Sequence, residues 1–426
     1  MHKKVLVVGT TPDYIQWIRL SCPNRAVFIT DPVIRQTAQE ESPAHDEEIL
    51  TPLSDPGQVF EALKKHLDKW PQTIDSIFCF DCESMELTAF IAGQLNLNYV
   101  SRQAIQNCRD KYVSKQIWQH HEIRCPKISP INCVADAITF FKTTGSGCVL
   151  KPITGSGSEL VFQCTSVAGC RSAFTIIQKG LKKRLLNPLF QRSSSKEILM
   201  LAEERIVGTE YSCDFIVENN GIHVIRLAKK ITSPFRPFGT ILGYILPAIL
   251  PPVIDKNNFF QILLKSATTL GINRGLCMMD FIISENQVVL IELTPRPGGD
   301  CLPHLLKAST NLDILKLSLD FAQNYPLDLN NTHGSSPYVG IRLHAGQSGV
   351  LRKIDSCHLL EDKRVKDIHL SKNPGHKIKL PPDDYDSWNL GHIIIEPLCN
   401  KFPESQAITI SKKIEIYIDQ DLSEAS

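Results

Sequence analysis

The chain lacks any excess of charge: 46 lysines and arginines stand against 45 aspartates and glutamates over 426 residues, a formal net charge of +1. No general field therefore draws in nucleic acid or an anionic membrane, and small-molecule partners are expected. Long unbroken apolar runs are missing as well. The most apolar long segment, residues 239–254, carries Gly239, Gly243, Pro247, Pro251 and Pro252. It is too short and too broken to span a bilayer. Internal repeats and low-complexity tracts are absent. No signal peptide is evident, so the 14 cysteines are expected as free thiols in a reducing, cytoplasmic compartment. Cys79 and Cys82 have the spacing of half a zinc site, but no second pair follows at ligand spacing. At the end of the apolar run 77–80 they read as small buried hydrophobes.

What is present begins with alternation. Strand-like residues 3–9, 26–30 and 76–80 and the short Tyr99-Val100 alternate with helix-like residues 12–20, 59–70 and 87–95. That order predicts an α/β domain over residues 1–103, a parallel sheet with helices on both faces. Gly9-Thr10-Thr11 lacks the three spaced glycines of a dinucleotide fingerprint, so only the architecture is inferred there. A second domain is read over 104–334. Its helix starts at Asp110-Lys111-Tyr112, and two strands flank the loop Ile153-Thr154-Gly155-Ser156-Gly157-Ser158, with Lys151 at the entry. Glycine and serine allow such a loop to fold its amides over phosphates. Residues 335–426, strand-rich with turns at Gly346, Gly349 and Gly391, are read as a small closing module.

The most informative stretch is 277–300. Two apolar runs flank Glu285-Asn286-Gln287, which reads as a hairpin. With Asn286 at the turn centre, Asp280 lies opposite Glu292; a two-residue loop at Glu285-Asn286 would instead put Met279 there and send Asp280 to the other face. Facing carboxylates, with Cβ atoms roughly 5 Å apart, destabilise a sheet unless something neutralises them. A divalent cation does so. Thr294 falls on the same face as Glu292 and adds a hydroxyl, and an all-oxygen set favours Mg²⁺ or Mn²⁺, which complete their shells with water and substrate phosphates. Arg296 and Gly298-Gly299-Asp300 follow, a guanidinium and free amides suited to an anion.

Taken in order, Asp110-Lys111, Leu150-Lys151-Pro152 with its Gly-Ser loop, Glu203-Glu204-Arg205-Ile206-Val207-Gly208-Thr209-Glu210, Asp280 and Glu292-x-Thr294-x-Arg296 resemble the ATP-grasp superfamily. The run from Glu292 through Pro295-Arg296-Pro297-Gly298-Gly299-Asp300 and the Gly349 turn look most like L-amino-acid ligases and related carboxylate–amine ligases. The resemblance implies an α+β ATP-grasp fold: the N-terminal parallel-sheet domain, a central domain with a lid subdomain at about 127–205, and the β-rich C-terminal module. It implies ATP and Mg²⁺ (or Mn²⁺) as cofactors. Lys111 and Lys151 would contact phosphates, with Ser156 and Gly157 of the loop over them. Glu203 would accept from the adenine amino group, the backbone near Arg205 and Ile206 would read the adenine edge, and Glu210 would hold the ribose. Lys229 or Lys230 would be the third phosphate-binding lysine. Asp280, Glu292 and Thr294 would be the metal ligands, with Thr294 standing where the family usually has asparagine. Arg296 would grip a carboxylate.

The implied activity is ADP-forming ligation of a small carboxylate, activated as an acylphosphate, to an amine. The alternatives are a carboxylase-like enzyme or an ATP-binding regulator of weak activity, the latter kept open by Thr294. The partners implied are small carboxylates and amines, amino acids among them, and a homodimer is common in the family. Segment 235–252, with Arg236, Phe238 and Tyr244, is placed near the acceptor pocket. His304 is read as a helix-surface histidine rather than a base.

Overall fold

The computed structural model describes residues 3–36, 38–145, 147–190, 200–329, 337–399 and 401–420. Its first sheet grows from β1 (Lys3–Val8), whose last four residues are fully buried. β1 pairs in parallel with β2 (Ala26–Thr30); β3 (Glu48–Leu50) extends the sheet beyond β2, and β4 (Thr73–Phe78) pairs in parallel with β1 on the other side. Helices Pro12–Ser21, Pro56–Lys69 and Met85–Leu95 connect or follow these strands. Proline opens the first two, where its missing N–H is no loss, and Asp55 caps the second by accepting from the amides of Gly57 and Gln58. The expected parallel sheet is present, with one substitution among its strands. Tyr99-Val100 forms no strand, and Val100 is simply a buried side chain; β3, with only Ile49 buried and no alternation to read, takes the remaining edge.

A four-stranded antiparallel sheet follows, β5 (Ile128–Ile131), β6 (Cys148–Pro152), β7 (Phe162–Cys164) and β8 (Met200–Glu204), in the order β5-β8-β6-β7. Helices Val134–Thr144 and Val167–Lys183 contribute to its apolar core, giving a compact subdomain over the expected lid residues.

The remaining strands are β9 (Thr209–Glu218), β10 (Gly221–Thr232), β11 (Ile241–Leu246), β12 (Gly275–Ser284), β13 (Gln287–Thr294), β14 (Tyr338–His344), β15 (Gly349–Asp355), β16 (Val365–Leu370), β17 (Lys377–Ile378), β18 (Asn389–Ile395) and β19 (Glu415–Asp419). Eight of them form one antiparallel sheet ordered β13-β12-β9-β10-β11-β14-β18-β16, while β17-β15-β19 make a small separate sheet. The C-terminal residues are strand-rich as expected, and part of them continues the central sheet. β14 pairs with β11 and carries β18 and β16 into the central sheet. The expected boundary at 334/335 lies outside the described residues. Among those described, no helix is long and apolar enough to cross a membrane.

The β12–β13 hairpin corrects the expected turn and keeps the expected pair. Glu285 and Asn286, both left-handed at φ 49° and 62°, form a two-residue turn, so that Ser284 pairs with Gln287 and Phe281 with Leu290. Continued unbroken, that register would put Met279 across from Glu292. One extra residue on β13, Ile291, interrupts it, and beyond this bulge Asp280 faces Glu292 and Met278 faces Thr294. The bulge is held from both sides: Leu290 donates its amide to the Arg124 carbonyl at 2.9 Å, and the Ile291 carbonyl accepts from Lys115 Nζ at 2.8 Å.

Candidate active site

The β5–β8 subdomain and the hairpin face each other across a cleft. Lys111 opens helix Lys111–His120, which Asp110 caps by accepting from the amides of Tyr112 and Val113. Lys111 Nζ donates to the Gly155 carbonyl at 2.7 Å and lies 3.2 Å from Glu292 Oε1, tying the glycine-serine loop to the hairpin. Across the cleft Lys230 Nζ sits 2.7 Å from Asp280 Oδ2. The like charges of the facing pair are thus met by one lysine each. Burial alone would raise the Glu292 carboxyl, but Lys111, with Lys151 and Lys115 behind it, holds it below the usual range.

Of the two lysines that the sequence left open, Lys229 lies on the opposite face of β10; strand alternation gives the cleft to Lys230, which borders it. Lys151 enters as expected. Its Nζ lies 2.7 Å from Glu203 Oε2, and burial first, then Lys115 and Lys111 against the pull of Glu203, lowers it to about 8. Glu203 is 3 % exposed, with Oε1 2.8 Å from Lys115 Nζ. Burial opposes its charge, yet Lys115 and Lys151 prevail and keep it ionised. Each carboxylate oxygen is met by one ammonium, and further lone pairs remain to accept.

Lys115 was not singled out from the sequence. It is fully buried, one helical turn beyond Lys111, and its ammonium spans Glu203 and the Ile291 carbonyl. The signal was available: lysines four apart lie on one helix face.

The cleft encloses about 300 Å³, lined by Lys111, Lys151, Ser156, Gly157, Glu203, Arg205, Ile206, Glu210, Lys230, Asp280 and Glu292 together with the apolar Val149, Val161 and Ile282. Of the thirteen residues proposed from the sequence, twelve line this cleft or the adjoining cavity, and Lys229 lines neither, whereas Lys230 lines both. The adjoining cavity, about 290 Å³, holds Thr294, Arg296, Arg342, Tyr244 and Trp388. Phe238, Gly239 and Tyr244 of segment 235–252 line it, while Arg236 packs over Trp388.

Arg296 Nε donates to Cys82 Sγ at 3.1 Å and Nη1 to the Pro297 carbonyl at 2.7 Å. The Cys82 half of the cysteine pair therefore borders the site while still packing against the core. The glycine loop after Arg296 is fixed by residues that the sequence did not reveal. Arg226 Nε and Nη2 clasp Asp214 at 2.7 and 2.9 Å, fully buried, and the Gly298 amide donates to both Asp214 oxygens at 3.0 and 3.2 Å. A Cβ at Gly298 would sit 2.2 Å from Arg226 Nη2, so only glycine fits. Asp300 is taken by Arg342, Nε to Oδ2 at 2.9 Å.

Asp280 Oδ1 is buried with no hydrogen-bond partner, an unmet acceptor beside Glu292 and Thr294. Hard oxygen donors with one orphaned carboxylate oxygen fit a divalent cation of the magnesium class.

Residues 144–304 match the ATP-grasp domain profile. The chain contains an ATP-grasp domain. Its fold is similar over nearly the whole length to that of an L-amino acid ligase from Bacillus licheniformis, with 18% identity, TM-score 0.76, and 98% of this chain and 99% of that one covered. A phosphoribosylglycinamide synthetase from Anaerococcus prevotii is also similar, at 17% identity and TM-score 0.64 over 98% and 100% of the two chains. So is an N5-carboxyaminoimidazole synthase from Aspergillus clavatus solved with ADP and 5-aminoimidazole ribonucleotide, at 15% identity and TM-score 0.68 over 96% and 99%. In sequence, an uncharacterized protein of Sinorhizobium fredii, y4rH, is 24% identical over 337 residues, 78% of this chain. The matched region spans 65% of that relative. The ATP-grasp match covers the stretch from just before β6 through the hairpin and the glycine loop to His304, so the cleft described above falls largely inside it.

Proposed function

We propose that the protein is an ATP-dependent ligase that activates a small carboxylate as an acylphosphate and joins it to an amine. The observation that carries this reading is the facing pair Asp280 and Glu292, each met by a lysine, in a cleft that opens beside Arg296. Asp280 and Glu292 would hold Mg²⁺, which neutralises phosphate charge during transfer. Lys111, Lys151 and Lys230 bind the phosphates of ATP, and the amides of the 155–158 loop close over them. Glu203 and the segment at Arg205 and Ile206 meet the adenine edge; Glu210 meets the ribose. The substrate carboxylate oxygen attacks the γ-phosphorus and ADP leaves; the amine nitrogen then attacks the acyl carbon and phosphate leaves. Little protein nucleophilicity is needed, only alignment and charge stabilisation. Arg296 holds the carboxylate and then the oxyanion of the tetrahedral intermediate.

The test is ADP release by the purified protein across pairs of carboxylates and amines, amino acids included. ADP that requires both members of a pair supports the ligase. ADP formed with a substrate and bicarbonate, with no second carboxylate, would replace it with a carboxylase.

Two quantitative expectations belong to this reading. Arg296→Ala lowers turnover by about 10²- to 10³-fold and leaves the nucleotide dissociation constant within about threefold; equal loss of both, read by steady-state kinetics and fluorescence titration, would make Arg296 a structural residue. Nucleotide affinity is also pH-dependent. Lys151 loses its proton near pH 8 in the free protein, and bound phosphates raise that value, so affinity is full below about pH 8 and weakens as pH rises through it. Titrations between pH 7 and 10 check the sign.

A further inference from the structure

A cluster of three histidines and an aspartate stands outside the nucleotide cleft. It is assembled by β16, β18 and the helix Leu302–Thr310. Gly391 lets β16 close in on β18: at φ +136° a Cβ there would lie 2.0 Å from the His369 carbonyl. His369 pairs directly across from His392, their rings 24° from parallel with centroids 5.1 Å apart. Asp367 precedes His369 by two residues and shares its face of the strand. The helix brings His304 onto this face, its ring 4.7 Å from that of His392 and 5.1 Å from that of His369, with Nδ1 3.1 Å from Asp367 Oδ2. His304 is therefore not a free surface histidine. One ligand atom from each of His304, Asp367 and His392 lies within 4.8 Å of the other two.

A histidine packed in a core normally finds a hydrogen-bond partner. His392 does not: it is 4 % exposed, and its Nε2 is buried without one. In a neutral imidazole one ring nitrogen keeps a lone pair, and no protein group meets Nε2 here. The edge contact between His304 and Trp17, with centroids 4.7 Å apart, explains how one ring is wedged but leaves that lone pair unexplained.

We propose that His304, Asp367 and His392 bind a divalent transition-metal ion of the zinc class. Two imidazoles and a carboxylate within mutual reach are the donor set of an open tetrahedral site, and imidazole favours zinc over magnesium. The three histidines line a cavity of about 580 Å³ that also reaches Arg296 and Gly299. A three-ligand ion there has a coordination position left for an oxygen or nitrogen donor that enters the cavity. This site is independent of the Asp280–Glu292 pair and does not rest on the ligase reading.

The experiment titrates the chelator-treated full-length protein with Zn²⁺ in a millimolar excess of Mg²⁺ by calorimetry, and with Co²⁺ by visible absorption. The expected result is one Zn²⁺ per chain, a tetrahedral Co²⁺ spectrum without sulfur charge transfer, and affinity weakened about 100-fold or more in His392→Ala. Asp367→Asn, at a half-exposed position that does not threaten folding, weakens it in the same direction. No stoichiometric uptake overturns the proposal, as does uptake unchanged by either variant. Uptake with thiolate bands that vanishes in Cys164→Ser also overturns it, assigning the ion to the buried cluster Cys148, Cys164 and Cys170.

Discussion

Glu292→Gln is expected to lower ADP formation by about 10³-fold while the protein remains folded. The change keeps volume and removes only the charge. A bound metal contributes several kcal/mol of charge stabilisation to phosphoryl transfer, and about 4 kcal/mol corresponds to three decades in rate. The effect is compounded by Lys111, whose ammonium lies 3.2 Å from Glu292 and 2.7 Å from the Gly155 carbonyl. Losing the carboxylate frees that lysine and loosens the loop that closes over the phosphates. Single-turnover measurement of ADP, with circular dichroism as the folding control, gives the answer. A rate within about tenfold of the unaltered protein would remove Glu292 from the metal site, since a direct ligand to the reacting phosphates cannot be so cheaply neutralised.

The second large effect is on stability. Asp214→Ala leaves Arg226 charged, fully buried and unpaired, and strips the acceptor from the Gly298 amide. Breaking one side of a buried ion pair costs about 3–5 kcal/mol. The urea midpoint should fall accordingly. The double replacement Asp214→Leu with Arg226→Met should recover part of the loss, because two apolar groups replace two desolvated charges, but the Gly298 amide stays unpaired and the glycine loop beside Arg296 stays loose. Stability would then return further than turnover. If the single variant unfolds at the same urea concentration as the unaltered protein, the pair is not the anchor of that loop.

The acidic hairpin shows what a strand pattern can and cannot carry. Asp280 and Glu292 do face each other, but by a route that hydrophobic alternation does not announce. The turn is the two-residue one at Glu285 and Asn286, and the bulge at Ile291 restores the pairing. A bulge is fixed by its partners, here the Arg124 carbonyl and Lys115, which lie far away in sequence. Lys230 was separable from Lys229 only by strand parity, which requires knowing which face of β10 meets the cleft. Lys115 and the Asp214–Arg226 clasp were hidden for a different reason. They touch other protein groups rather than forming a local motif, and buried charge is visible only once the partner elements are packed.

The fold shows the same division. Local alternation sufficed for β1, β2 and β4 of the N-terminal parallel sheet and for the helix capped by Asp110, because period and capping residues are local. It gave a strand-rich C-terminal third but not its pairing, in which β11 joins β14 across some ninety residues and continues the central sheet. Nothing within either strand says which edge it will join. His304 illustrates the point at the scale of one side chain: on the helix it reads as a surface residue, and only the return of β16 and β18 surrounds it with Asp367, His369 and His392.

The account turns on the acidic hairpin pair as the place where nucleotide and cation meet. Calorimetric titration with a non-hydrolysable ATP analogue, with Mg²⁺ and then with a chelator, on the unaltered protein and on Asp280→Asn, tests it most directly. The expected result is one analogue per chain, with affinity at least about tenfold tighter with Mg²⁺ than without and with that difference abolished in the variant. Binding that ignores Mg²⁺, or a magnesium effect that survives the loss of Asp280, would contradict it.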